Sequence, residues 1–158
     1  IDFSMFWQGV AKRDLWLDGL MFWGISGGEW QSTGLKEHLD YYRPENTTSV
    51  FGPNTNAYFP KMYMSKDMNQ KVQTRYLQNG AYARLKNIQL GYTFPTQIIN
   101  KLHMQKLRVY VSAENVLTIT SLPSGFDPET TYSSYSDGNS GKTYPLQTTI
   151  SFGLHATF

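Results

Sequence analysis

The chain has 158 residues and a formal net charge of +2, which is too small for the basic surface of a nucleic-acid-binding protein, so no nucleic-acid partner is expected. Aromatic residues make up 15% of the sequence and charged residues 16%, proportions that favour a β-rich protein over a helical bundle or a disordered chain. The sequence contains no cysteine, which excludes disulfides, thiolate metal sites and cysteine nucleophiles.

The first predicted element is a strand over residues 1–18. From Ile1 to Ala11 no odd position carries a polar side chain, whereas the even positions include an acid, a serine and a glutamine. Such alternation indicates a strand with one apolar face and one polar face. Leu15 and Leu17 continue the apolar positions, although less regularly.

A long segment without strong periodicity follows, from about residue 19 to residue 80. Long loops of this kind are uncommon in compact domains and are often functional. Its aromatic and cationic side chains are candidates for contacts with sugar rings or with a partner protein: Trp30, Tyr41, Tyr42, Arg43, Tyr58 and Phe59. The alternative is that these side chains pack the loop against itself, because a loop of this length must bury some surface to remain ordered.

Two further strands are predicted over residues 83–94 and 107–119. The short link between them places Ile98, Ile99 and Leu102 at helical spacing, which predicts one or two helical turns. A second long loop, over residues 120–144, adds two candidate contact residues: Tyr132 and Tyr135. The acids of this loop match no calcium-binding spacing, and the three histidines of the chain are far apart, so no metal site is expected.

The last predicted strand covers residues 147–158 and alternates most regularly. Its even positions are all apolar and its odd positions are small or polar. The sequence also lacks paired carboxylates, a nucleophile elbow and a phosphate-binding loop, so neither enzymatic activity nor a cofactor is expected.

The connections between the four strands are unequal, with long loops at one end and a short link at the other. This is the layout of an outer-membrane β-barrel, whose alternating strands contain no long apolar run. Four strands are too few to close a barrel, and an open sheet edge would expose unpaired backbone groups. We therefore expect the chain to belong to a larger antiparallel sheet. It begins in a strand-like run without a signal peptide, so more sequence is expected upstream.

Arg84 and Lys86 conflict with this interpretation, because they share parity with the apolar Ile88 and Leu90. A charge on the lipid face costs about 2–4 kcal/mol at the bilayer midplane but about 0–1 kcal/mol near the interface. The expectation is that both residues lie at the extracellular rim. The alternative is a β-bulge that turns them to the inner face.

Four stretches of the sequence resemble the C-terminal end of the SusC/RagA family of TonB-linked outer-membrane transporters. They are QGVAKRD at 8–14; YRPEN at 42–46 with YFP at 58–60; QTRYLQNGAYARLKNIQLGYTFP at 73–95; and LRVYV at 107–111 with EN at 114–115, FDPE at 126–129 and YP at 144–145. They occur in family order and cover nearly the whole chain.

The resemblance implies a plugged barrel of about 22 strands that imports nutrients, usually glycans and sometimes peptides. It also implies two protein partners, a SusD-like surface lipoprotein that covers the barrel and the TonB complex of the inner membrane. Residues 1–158 would then be the last four strands, in the outer membrane of a Gram-negative bacterium. The plug and the TonB-contacting segment would lie in the N-terminal part of the receptor, outside this chain.

The resemblance gives roles to apolar and aromatic residues. The terminal strand resembles the signal read by the barrel-assembly machinery, carried by Phe152, Leu154 and Phe158. Aromatic residues near strand ends are expected to form a membrane girdle: Trp7, Trp16, Phe22, Trp23, Tyr92 and Phe94. The alternative is a soluble β-sandwich that binds carbohydrate, in which a second sheet would bury the apolar row of the last strand.

Overall fold

The computed structural model describes residues 1–27, 34–63, 70–131 and 143–158. Six strands are present in this part of the chain: β1 Asp2–Val10, β2 Asp14–Trp16, β3 Leu77–Asn79, β4 Tyr82–Thr93, β5 Lys106–Thr120 and β6 Thr149–Thr157. Strands β1, β4, β5 and β6 form one sheet in that order, and every pairing in it is antiparallel. The prediction of four antiparallel strands paired in sequence order is confirmed.

The first predicted strand is too long. In the main sheet it ends at Val10, and the chain resumes an extended conformation at Asp14–Trp16, where it pairs with Leu77–Asn79 in a separate two-stranded sheet. The reason is that Leu15 and Leu17 belong to another core, in which they are 5% and 1% exposed. The alternating pattern is thus shared by two sheets.

The helical segments are short. Two α-helical turns, α1 Leu20–Trp23 and α2 Thr96–Ile99, are accompanied by 3-10 turns at Gly24–Gly27, Lys36–Leu39, Thr74–Tyr76 and Asn100–Leu102. The prediction of one or two helical turns between β4 and β5 is therefore confirmed. Within this link Ile99 is 1% exposed, and a buried position of this kind favours an apolar side chain.

The chain divides into two compact units. The sheet unit comprises Ile1–Arg13, Gly80–Ser121 and Leu146–Phe158, and the loop unit comprises Asp14–Asn79 and Leu122–Pro145. The loop unit has its own hydrophobic core of buried residues: Leu15, Leu17, Phe22, Trp23, Tyr76, Leu122 and Phe126. The described parts of the two long loops thus pack around one shared core.

The register of the sheet unit contains one shared irregularity. Between β1 and β4 the pairs Phe6–Asn87 and Trp7–Leu85 leave Lys86 without an opposite residue. The β4–β5 register shifts at the same place, where Asn115 has a left-handed φ of 52°. This β-bulge adds one residue to β4 and so reverses which of its residues point to each face.

Candidate functional site

One face of the sheet unit is apolar across all four of its strands. Residues that pair across neighbouring strands share a face, and one such row consists of Phe3, Leu90, Val111 and Phe152. The next row consists of Met5, Ile88, Ala113 and Ile150. Phe3, Leu90 and Phe152 are 58%, 50% and 84% exposed. An apolar surface that spans a whole sheet marks a contact with a membrane or with another protein.

The opposite face of the sheet unit is polar and carries an ion pair between β5 and β1. Arg108 donates from Nη2 to Asp2 Oδ2 at 2.5 Å and from Nε to Asp2 Oδ1 at 3.2 Å, a two-bond arrangement that fixes both side chains. Gly91 lies opposite Asp2 in the register, and a Cβ at this position would lie 2.5 Å from Arg108 Nη2. The glycine therefore leaves room for the pair to lie across β4.

A second glycine on the polar face accommodates an aromatic ring. Tyr110 pairs with Gly153 of β6, and a Cβ on this glycine would overlap the tyrosine ring. The Arg108 guanidinium carbon lies 5.0 Å from the centroid of the same ring, within cation–π range. Sequence analysis missed these contacts. The available signal was that Asp2, Arg108 and Tyr110 all lie at polar-face positions.

Arg84 lies on the polar face because of the β-bulge. It pairs with Gln8 and Thr118, and its Nε donates to Thr118 Oγ1 at 2.8 Å. The side chain is only 2% exposed. The β-bulge given as the alternative is therefore present and places Arg84 on the polar face of the sheet, whereas its position at an extracellular rim stays a prediction.

Three members of the predicted aromatic girdle pack into the loop unit, and the girdle itself stays a prediction. Phe22 and Trp23 are 3% and 1% exposed, and their rings meet edge to face at a centroid distance of 5.2 Å inside the loop unit. Trp16 packs against the same core. Phe22 and Trp23 are therefore core residues and Trp16 is partly buried, because the loop unit uses large side chains to fill its own interior. Trp7 and Tyr92, in the sheet unit, are 42% and 40% exposed and remain candidates.

Arg43, a predicted contact residue, is 8% exposed and holds a loop closed. Its Nε donates to Gly52 O at 2.6 Å and its Nη1 to Leu39 O at 2.8 Å. The guanidinium carbon lies 4.6 Å from the Tyr41 ring centroid. Two backbone hydrogen bonds between Arg43 and Asn54 close the base of the loop. The side chain of Arg43 therefore stabilises the closed form of this loop.

The two tyrosines before Arg43 are less buried. Tyr42 is 41% exposed, whereas Tyr41 is partly buried and forms a bridge with Phe59. The tip of the loop closed by Arg43 carries Val50, which is 93% exposed, and Phe51, which is 59% exposed. Sequence analysis missed both residues, because their exposure depends on how the loop is closed.

Tyr58 and Phe59, also predicted contact residues, pack against the core of the loop unit. Their rings meet edge to face at 4.9 Å, and Phe59 contacts Phe22 at a centroid distance of 5.6 Å. The Tyr58 hydroxyl accepts a hydrogen bond from Gln78 Nε2 at 2.9 Å. Self-packing of the loop, the alternative expected from the sequence, thus explains much of the burial of Tyr58 and Phe59. The other predicted contact residues, Trp30, Tyr132 and Tyr135, lie outside the described residues.

The residues of the predicted assembly signal are all exposed. Phe152 and Leu154 of β6 are 84% and 68% exposed, and Phe158 after the strand is 76% exposed. Among the described residues β6 pairs with β5 alone and is therefore an edge strand of the sheet unit. An edge strand of this kind needs a pairing or covering partner, because lipid cannot accept or donate hydrogen bonds to its backbone groups.

A cavity of about 360 Å³ lies within the loop unit, between the turn Lys36–Leu39 and the aromatic core. Its walls include Phe22, Phe59 and Phe126, and its polar lining includes Glu37 and Gln78. The sequence did not predict this site, because its lining comes from segments up to 105 residues apart along the chain, from position 21 to position 126.

His38 borders the cavity, and both of its ring nitrogens form hydrogen bonds with backbone groups. Its Nδ1 accepts a hydrogen bond from the Leu35 amide at 2.8 Å, and its Nε2 donates to the Phe22 carbonyl oxygen at 3.0 Å. This arrangement fixes a neutral imidazole with the proton on Nε2. His38 is therefore a packing residue, and no lone pair remains to bind a metal.

Two kinds of feature are absent from the described residues. No group of three or more histidine, cysteine, aspartate or glutamate side chains in this part of the chain could hold a metal ion. Among the same residues, no helix has both the length and the apolar character needed to span a membrane.

No family model matches the chain. Curated relatives come from Formosa agariphila. TonB-dependent receptor P3 is 34% identical over 112 residues, which cover 66% of this chain, and TonB-dependent receptor P26 is 24% identical over an alignment that covers 100% of it. The chain spans only 11% and 16% of the lengths of these two relatives.

Solved structures share the fold. The chain matches a structure of the RagAB peptide importer in the open-open state with a TM-score of 0.64 at 24% identity. It also matches a structure described as the RagAB peptide transporter with a TM-score of 0.61 at 22% identity. Each match covers 99% of this chain and 15% of the matched chain.

Proposed function

We propose that this chain, which is 34% identical over 112 residues to a TonB-dependent receptor, is a portion of a receptor of the SusC/RagA type and forms the last four strands of a nutrient-importing outer-membrane barrel. The barrel would lie in the outer membrane of a Gram-negative bacterium. The plug domain and the segment that contacts the TonB complex would belong to the rest of the receptor. The chain would act in transport, without catalysis and without a cofactor.

The observation that carries this proposal is the apolar face shared by four antiparallel strands. These strands have 9, 12, 15 and 9 residues, and a tilted strand needs about 9–11 residues to cross a bilayer. A soluble β-sandwich would cover this face with a second sheet. Among the described residues, the only other sheet has two strands of three residues each, which is too small for that purpose.

The connections of the sheet unit support an orientation in the membrane. The long segments follow the two strands that end at Val10 and at Thr120. Strands β4 and β5, in contrast, are joined by a short helical link. Short turns of outer-membrane barrels face the periplasm and long loops face the exterior. We therefore propose that residues 20–80 lie outside the cell and that the link over 95–105 lies in the periplasm.

The extracellular segment is proposed to contact a SusD-like surface lipoprotein. Support comes from the loop held by Arg43, which presents Val50 and Phe51 on an internally hydrogen-bonded support. Exposed apolar side chains on a fixed loop lose little conformational freedom when a partner binds. Outer-membrane lipid is the proposed partner of the apolar sheet face.

Two substrate classes remain as proposals. An oligosaccharide is the first candidate, supported by the exposed Tyr42 in the extracellular segment, because the ring of an exposed aromatic side chain can stack on a sugar. An oligopeptide is the second candidate, supported by the fold shared with a peptide importer and by the chemistry of the cavity in the loop unit.

The import function is tested by deleting the gene of the intact receptor and restoring it on a plasmid. Uptake of fluorescent oligosaccharides and of fluorescent peptides is compared in cells with and without the receptor. Receptor-dependent and TonB-dependent uptake of either class, with the nutrient recovered intact, is the expected result. Equal uptake in both strains for every nutrient tested, or receptor-dependent cleavage of the nutrient by purified protein, would contradict the proposal.

A further inference from the structure

The cavity of the loop unit has the size of a site for one side chain or one ring. Its volume of about 360 Å³ lies near the lower end of the range of about 300–1,000 Å³ typical of ligand pockets. Its walls are mainly apolar and are formed by aromatic rings that are fixed by one another, such as Phe22 and Phe59 at 5.6 Å. A site of this kind is preformed, so binding a ligand would cost little ordering of the protein.

The polar groups of the cavity are mainly hydrogen-bond acceptors. Among the described residues, no hydrogen bond or ion pair engages the Glu37 carboxylate, and this side chain is exposed. The Gln78 amide nitrogen already donates to Tyr58 Oη at 2.9 Å and to Tyr76 O at 2.7 Å, so its amide oxygen is the group left for a ligand. Asp40 accepts from the Tyr58 amide at 3.1 Å and retains further lone pairs.

The cavity contains few groups that could repel a cation. No lysine or arginine is among the described residues that line it. The one histidine, His38, is held neutral by its two backbone hydrogen bonds. Carboxylates at the polar side and aromatic rings on the walls together form the environment in which ammonium and guanidinium groups bind, within about 6 Å of a ring centroid.

We propose that this cavity binds a positively charged side chain, lysine or arginine, of an oligopeptide substrate. The aliphatic stem of such a side chain would contact the phenylalanine rings, and its charged end would reach Glu37, as long basic side chains commonly do. A neutral sugar fits the cavity less well, because it needs hydrogen-bond donors as well as acceptors, and the lining offers few. The inference rests on the proposed import function, since it names the substrate class.

The test measures binding to the intact receptor, purified in detergent. The probes are two capped, fluorescent pentapeptides that differ only at the central residue, which is arginine in one and its neutral isostere citrulline in the other. The arginine peptide should bind more tightly, and the difference should shrink as the salt concentration rises. Glu37→Gln should weaken binding of the arginine peptide by about fivefold, the effect of a partly exposed charge pair, and leave the citrulline peptide unchanged.

Glu45→Gln is the matched control, because it removes the same charge from an exposed position that does not line the cavity. It should leave the affinity for both peptides within about twofold of the wild-type value, as expected for an exposed charge outside the site. Equal affinities for the two peptides, absence of binding to either, or an unchanged affinity in Glu37→Gln would overturn the proposal. So would an uncharged oligosaccharide that displaces the arginine peptide and binds Glu37→Gln as well as wild type.

Uptake by cells separates failure of this inference from failure of the import function. If the receptor imports nutrients but the purified protein shows no preference for arginine over citrulline, only the cavity assignment fails. If the arginine preference is present but uptake does not depend on the receptor, the import function fails and the cavity assignment stands as a binding site.

Discussion

At the scale of single residues, the polar face of the sheet depends on the small volume of Gly153. The Tyr110 ring occupies the space that a side chain at this position would need. We predict that Gly153→Val lowers the yield of folded receptor, because the valine and the Tyr110 ring cannot occupy the same space. Ser151→Val on the same face is the control. Folded yield is measured by heat-modifiable mobility in gel electrophoresis, and equal yields for both variants would contradict the close packing.

Arg43 was predicted to contact a ligand, but its hydrogen bonds instead hold together the loop that is proposed to make the contact. Its guanidinium donates hydrogen bonds to the carbonyl oxygens of Leu39 and Gly52, and removing them would cost the loop these two bonds. A lysine would keep the charge but not the planar arrangement of donors. The proposed contact surface is therefore formed by Val50 and Phe51, which this loop holds exposed.

At the scale of secondary-structure elements, β6 gives the clearest test of which face meets lipid. Phe152→Arg and Leu154→Arg place a charge on the apolar face, which costs about 2–4 kcal/mol near the bilayer midplane. Ser151→Arg places the same charge on the polar face, where water or the plug would surround it. We predict low outer-membrane yields for the first two variants and a higher yield for the third. Equal yields for all three would show that the faces are misassigned.

The strands of the main sheet were predictable, because the alternation of apolar and polar residues can be seen within each short segment of the sequence. β6, for example, follows directly from its apolar even positions and its polar odd positions. The β-bulge at Lys86 was not decided by the sequence, because the parity of Arg84 is compatible with either a charged rim or a bulge. Only the pairing with β1 and β5 determines which of these forms.

The candidate site was less predictable than the sheet, because it depends on contacts between distant segments. Phe22 and Trp23 are of the residue types expected in a membrane girdle, yet they fill the core of the loop unit together with Tyr76. The cavity similarly requires the segment around Phe126 to meet the segment around Phe22. No local sequence pattern predicts a contact between two such distant segments.

At the scale of the whole molecule, the loop unit is proposed to capture the surface lipoprotein. Val50→Glu puts a charge on the most exposed apolar side chain of the loop tip, where an apolar contact would have to desolvate it. We predict that this variant recovers less lipoprotein in affinity purification, with unchanged receptor yield. Thr48→Glu in the same exposed loop is the control. Full recovery of the lipoprotein with Val50→Glu would remove this loop tip from the proposed contact.

The central claim is that four strands of this chain cross the outer membrane with the loop unit outside. Since the chain contains no cysteine, single cysteines can be placed at Val50 and at Lys101 in a receptor otherwise free of cysteine. Both positions are exposed, one in the loop unit and one in the link between β4 and β5. A large polyethylene-glycol maleimide should label Val50→Cys in intact cells and Lys101→Cys only after the outer membrane is opened. Labelling of Lys101→Cys in intact cells, or protection of Val50→Cys, would contradict the account.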